Sequence, residues 1–187
     1  MYSIVNTIKH ASAYGLLALL FSPMASAHFM VAQHGTLNFV DDGVYMVLSL
    51  PMSAFNLEDM NGNGALSMAE FNTQRASVVA MLRRRVNLQD TRGAIYLDGL
   101  MLVPELDHDS AQEHISQLIV MGRYALAESI GELQISTDLF GHSCAEKLLE
   151  IKASKKTKNL SQEIKLTPDN FSESLMKTFS EGLGHAG

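Results

Sequence analysis

One stretch of twelve residues constrains this chain more than any other: Asp59-Met60-Asn61-Gly62-Asn63-Gly64-Ala65-Leu66-Ser67-Met68-Ala69-Glu70. Side chains carrying oxygen stand at alternate places, Asp59, Asn61 and Asn63, and can face a hard cation together. Gly64 follows where the chain must turn sharply, and a carboxylate, Glu70, ends the run. Asn and Gly tolerate positive φ, so an ordinary surface turn would explain part of this pattern. A turn alone requires neither Asp first, nor an apolar eighth residue, nor Glu twelfth. The segment after it, Ser67-Met68-Ala69-Glu70, fits a capping box and opens a helix with Phe71, Val78 and Leu82 on one face. Arg83, Arg84 and Arg85 close that helix, where positive charge complements its dipole.

The stretch resembles the loop of the EF-hand calcium-binding family, and the resemblance covers the loop and the helix after it. It implies calcium held by Asp59, Asn61 and Asn63, by the backbone carbonyl of Ala65, by Ser67 directly or through water, and by Glu70 as the bidentate carboxylate. Asn stands where Asp is commoner at two positions, which leaves Asp59 and Glu70 as the charged ligands with Glu58 beside them. Fewer charges weaken binding, so the expected dissociation constant is about 10⁻⁴–10⁻³ M, as in extracellular modules. No second such loop occurs, which excludes the paired lobe of calmodulin-like proteins and the duplicated loops of a dockerin.

The N-terminal residues 1–27 read as a signal peptide: Lys9, a short apolar core from Ala13 to Phe21, and an Ala25-Ser26-Ala27 cleavage site. The expected mature protein starts at His28 and is secreted or periplasmic, with no transmembrane segment after cleavage. Its length and apolar content suit a single domain, residues 28–181, followed by a flexible tail, 182–187. A net charge of −6 argues against nucleic acid as a partner. The one cysteine, Cys144, cannot form an internal disulfide and is expected as a small buried hydrophobe.

Period-two patterning dominates the rest. Thr36–Val40 and Val44–Leu50 flank Asp41-Asp42-Gly43 as a hairpin, and Pro51 ends the second strand. Met52–Glu58 leaves room for an entering helix of one or two turns. Ala94–Val103 reads as one bent strand with a bulge at Asp98-Gly99, and Pro104–Glu113 as an acidic loop containing His108. His114–Leu126 is a long strand, and Leu133, Ile135, Thr137 and Leu139 alternate in the next. Lys147–Ala153 and Leu160–Leu166 pair through a solvated basic tip, Lys155-Lys156-Thr157-Lys158, while Phe171–Phe179 suits either a strand or a short helix. The expected fold is mainly β: an immunoglobulin-like antiparallel β-sandwich carrying the EF-hand loop and one helix as an insertion at about 52–86.

Two weaker resemblances bear on function. Ala27-His28 and Leu48-Ser49-Leu50-Pro51 are similar to the extracytoplasmic β-domain of nickel-transporter-like hydrogenase/urease accessory proteins, whose membrane helices this chain lacks. A mature N-terminal His28 resembles the histidine brace of copper-carrying β-sandwiches and lytic polysaccharide monooxygenases, with His34, His108, His114 or His142 as a second ligand. Asp107-His108-Asp109 and Gly141-His142-Ser143-Cys144 are ordinary loop compositions, and no nucleophile elbow surrounds the latter. The expectation is therefore binding rather than catalysis, with calcium as cofactor, a periplasmic copper-binding role as the alternative, and no protein partner specified.

Overall fold

Two aspartates set the first element. Asp41 takes a left-handed conformation (φ 48°) that Asp accepts more readily than most residues, and the chain reverses there between β1 (His34–Val40) and β2 (Gly43–Pro51). The two strands pair antiparallel from Gly35 opposite Leu48 to Val40 opposite Gly43. Leu37, Phe39, Val44, Met46, Leu48 and Leu50 share one face and are buried, as period two requires. The computed structural model describes residues 32–107, 114–127 and 132–180. Residues 1–27, expected to be a signal peptide, together with His28, His108 and the expected tail 182–187, lie outside the described residues.

After β2 the chain leaves the sheet through a single 3-10 turn, Met52–Phe55, then the Asp59–Glu70 stretch and helix α1 (Met68–Arg85). It re-enters as β3 (Val86–Asp90), in a second sheet. Beyond β3 come β4 (Gly93–Ile95), β5 (Leu97–Asp107), β6 (His114–Ala125), β7 (Gln134–Thr137), β8 (Leu149–Lys155), β9 (Leu160–Leu166), β10 (Ser172–Ser174) and the short helix α2 (Lys177–Ser180). The larger sheet runs β5-β6-β2-β1-β8-β9 and the smaller β10-β7-β3-β4. The protein is thus mainly β, and among the described residues there are two sheets and one helix longer than a turn or two. Residues of both sheets and of α1, including Phe71, Val78 and Leu82, belong to one apolar core.

Several expectations need correction. The sheet is mixed, because β1 and β8 run parallel, from His34 opposite Glu150 to Asn38 opposite Ser154. Ala94–Val103 is not one strand. The chain passes from the small sheet to the large one at Tyr96, which is 62% exposed, and Leu97 then turns inward opposite Tyr124. The bulge itself stands where expected, at Asp98–Met101, with Gly99 at φ +61°. Pro104 to Asp107 continue β5 rather than forming a loop. Pro104 stands on an edge strand, the place in a sheet where a residue lacking a donor is tolerated. Lys155 is buried, not part of a solvated tip: its Nζ donates to the carbonyl of Phe179 at 3.0 Å. Cys144 is exposed. It opens a 3-10 turn, Cys144–Glu146, in which Ser143 and Glu146 cap each other. Finally, Phe171–Phe179 is both alternatives in succession, strand β10 and then helix α2.

Candidate metal centre

The approach to the loop is as short as the sequence suggests, a stub of one 3-10 turn. Pro51 precedes the 3-10 turn, and Asn56 in the left-handed region (φ 47°) ends it before Asp59 is reached. A clasp supplements that stub. Gln74, one turn into α1 beyond Glu70, accepts from Glu58 N–H and donates to the Glu58 carbonyl, both at 2.9 Å. Its spacing from Glu70 was the sequence signal available for this contact.

Asp59 organises the turn. Its Oδ1 accepts from the amides of Gly62 (2.8 Å) and Asn63 (3.3 Å), and its Oδ2 from Gly64 (2.6 Å). Asn61 Oδ1 accepts from Asn63 N–H and Asn63 Oδ1 from Ala65 N–H, each at 2.9 Å. Each oxygen-bearing side chain thus folds back on an amide a few residues ahead, as Asx turns do. Gly62 and Gly64 take φ of +70° and +78°, and nothing stands within 4 Å of where a Cβ would be. Backbone conformation, not crowding, is therefore what requires glycine there.

Glu70 closes the structure from the helix side. Its Oε1 accepts from Met60 N–H (3.0 Å) and Asn61 N–H (3.2 Å). Its Oε2 accepts from Ser67 N–H (2.9 Å) and Ser67 Oγ–H (2.7 Å), while Glu70 N–H donates to Ser67 Oγ at 3.3 Å. This is the expected capping box, extended back to the start of the loop. The Ser67 amide and hydroxyl, ahead of the Asn61 and Met60 amides, hold the Glu70 carboxyl below its ordinary value even though burial pushes the other way. The charge is stabilised here by hydrogen-bond donors of Ser67 and of the loop backbone.

The loop is also tied to the large sheet. The carbonyl of Leu66 accepts from Ile115 N–H at 2.9 Å, next to His114 at the start of β6. Asn56, Leu57, Asp59, Leu66, His114, Ile115 and His142 are among the residues around a cleft of about 490 Å³ that this tie helps to form. No periodicity or motif in the sequence signals that cleft, because it joins three distant segments.

The residues expected to hold a metal thus gather on one loop, and their donors are oxygens throughout: carboxylate, amide, hydroxyl and backbone carbonyl. Such a set suits calcium or another hard cation and not copper. Among the described residues, no group of three or more His, Cys, Asp and Glu is disposed to hold a metal. The loop itself has only two carboxylates, so its remaining donors are uncharged. The histidines considered for copper are dispersed. His34 Nδ1 lies 2.8 Å from the Ala32 carbonyl and its Nε2 3.2 Å from Glu150. His142 Nε2 lies 3.1 Å from Asn56 Oδ1, and His114 Nε2 3.8 Å from Asp107. No protein-family model matches the chain, and no curated protein matches it. No helix among the described residues is long and apolar enough to cross a membrane.

Proposed function

We propose that this is an exported calcium-binding protein, secreted or periplasmic, in which an EF-hand loop inserted into an immunoglobulin-like β-sandwich holds one calcium ion and thereby stabilises the fold. Its role on this reading is binding, not catalysis. The observation that carries it is the convergence of Asp59, Asn61, Asn63 and Glu70 on the backbone of a single twelve-residue loop. A calcium ion would take its oxygens from those four side chains, Ser67 and the Ala65 carbonyl. Glu70 already accepts four hydrogen bonds, which is about the full capacity of a carboxylate. Bidentate coordination would displace some of them, and that exchange supports weak affinity beyond what the low charge count implies. A single loop with a clasped stub as its entering helix has no second hand against which to swing open, so a sensor's exposed groove is not part of the proposal.

Thermal melts in calcium and in chelator test this. A ligand that binds only the folded state adds RT ln(1 + [L]/Kd), about 2.7 kcal/mol at a hundredfold excess over Kd. Wild type is expected to melt higher in several-millimolar calcium. Glu70→Gln is expected to lose most of that calcium-dependent gain, and Ala65→Ser to keep it because its ligand is the backbone. Equal midpoints for wild type in calcium and chelator would overturn the reading. So would stoichiometric copper without calcium in the untagged, exported protein.

A further inference from the structure

The outer face of the large sheet divides into two halves of unlike chemistry. Over β8 and β9 it is charged, and the charges answer one another: Glu150 lies 2.7 Å from Lys165 and 3.2 Å from His34. Over β5, β6 and β2 it is apolar. Met101 stands opposite Met121 and Met121 opposite Val47, Val103 stands opposite Ile119, and Tyr45 lies two residues before Val47. Met101, Tyr45 and Val103 are 60%, 48% and 43% exposed, while Val47, Ile119 and Met121 are half-buried. The alternate residues of the same strands, such as Leu48, Leu102 and Val120, are already in the core, so these three strands are apolar on both faces. A sheet buries an apolar face against another layer, and a contiguous exposed patch marks an interaction surface.

Charge and geometry select what fits. Within this half the guanidinium of Arg123 is taken up by Asp42, 2.7 Å away. Asp98 and Glu105 flank the patch along β5, and among the described residues neither has a cationic partner. The unmatched charge around the apolar strip is therefore negative and favours a cationic partner. The edge of β5 is ill suited to an added strand. It carries the bulge at Asp98–Met101 and Pro104, and Arg75 Nη2 already donates to the Leu102 carbonyl at 3.2 Å. A partner must therefore lie on the face. From Asp98 to Glu105 that face runs about 20 Å, and from β5 to β2 it spans about 10 Å. An α-helix of about 14 residues has those dimensions.

We propose that the outer face of β5, β6 and β2 docks a basic amphipathic helix of a partner protein. The helix lays its apolar side on Met101, Met121, Val47, Val103 and Ile119 and turns Lys or Arg toward Asp98 and Glu105. The two unbranched methionines at the centre of the strip adapt to the side chains that meet them. This docking is independent of the calcium reading.

The test is a titration of the ¹⁵N-labelled protein with a synthetic peptide of about 14 residues, its leucines on one helical face and its lysines on the other. A Leu/Glu counterpart and a scrambled Leu/Lys peptide serve as controls, at an ionic strength of about 0.15 M that screens diffuse attraction. The Leu/Lys helix is expected to shift the amides of Val47, Met101, Val103 and Met121 saturably and to bind more tightly than either control. Met101→Lys with Val103→Lys, at two exposed positions, is expected to abolish binding. Glu105→Lys, which leaves the apolar strip intact, is expected to weaken it about five- to tenfold. Glu163→Gln, on β9, is expected to change nothing. The proposal is overturned if these amides do not shift, if either control peptide binds as tightly, or if Glu105→Lys binds as wild type does. Shifts of the same amides on raising protein concentration alone would make a second copy the occupant, and would overturn it too.

Discussion

Glu70 concentrates the chemistry of this protein in one carboxylate. It starts a helix, ties the beginning of the loop to its end, and on the proposed reading ligates the ion. Its folded value lies below its ordinary 4.5, so its contribution to stability is fully present above that value and is lost as pH falls through the folded one. Unfolding midpoints in urea, measured in chelator, are expected to hold from pH 7 to about pH 5 and to decline below pH 4.5. Glu150 reinforces the same direction, since the Lys165 ammonium 2.7 Å away, with His34, holds it down too. Glu70→Gln should remove part of the acid sensitivity and lower the midpoint even without calcium. An amide accepts at one end only, so either the Met60 and Asn61 amides or the Ser67 amide and hydroxyl would face an NH₂ group. The calcium effect must therefore be read as the gain within each variant, not as a difference between variants.

At the scale of elements, α1 is anchored at both ends by side chains the sequence advertises. Ser67 caps its start, and Arg85 pairs with Asp138 at its finish while Arg83 stacks over Tyr96 with 5.2 Å from guanidinium to ring centre. Ser67→Ala is expected to cost about 1 kcal/mol, within the 0.5–2 kcal/mol typical of lost caps, in denaturant unfolding. Faster amide exchange in the first turn of α1 should accompany it. The cap, the helix face of Phe71, Val78 and Leu82, and the β1–β2 hairpin were legible because each rests on neighbours within a few residues. The passage from one sheet to the other at Tyr96 was not, because Ala94, Ile95 and Leu97 read as one apolar run and nothing local says which sheet each joins. Lys155 misleads for a related reason. Its three companions in the basic run lie at the surface of the turn, whereas Lys155 turns inward and donates to the carbonyl of the remote Phe179. Within the loop, the donors could be read from spacing alone, whereas the Leu66–Ile115 tie and the cleft depended on where β6 would arrive.

For the molecule as a whole, Tyr124 and the β1–β8 pairing decide how the two sheets, and early and late parts of the described chain, are held together. The buried Tyr124 hydroxyl, in the large sheet, donates to the carbonyl of Val86 in the small one at 3.2 Å, and burial pushes its ionisation well above the usual range. Tyr124→Phe is expected to lower stability by about 1 kcal/mol in urea unfolding, the net worth of one hydrogen bond, without altering the fold. Removing the chain beyond Lys147 is expected to be far more severe. It deletes β8 and β9, uncovers one whole edge of β1, and strips neighbours from Leu37 and Phe39. Such a chain should elute as aggregate in size-exclusion chromatography, because an unpaired strand edge recruits other chains. The same parallel pairing bears on biosynthesis. Strand β1 is made early, yet the partner on its far side is encoded more than a hundred residues later, so at about 5–20 residues per second its slot stays vacant on the order of ten seconds. The large sheet therefore stays incomplete until synthesis is nearly over, which on the proposed export reading favours passage through a narrow channel in the unfolded state.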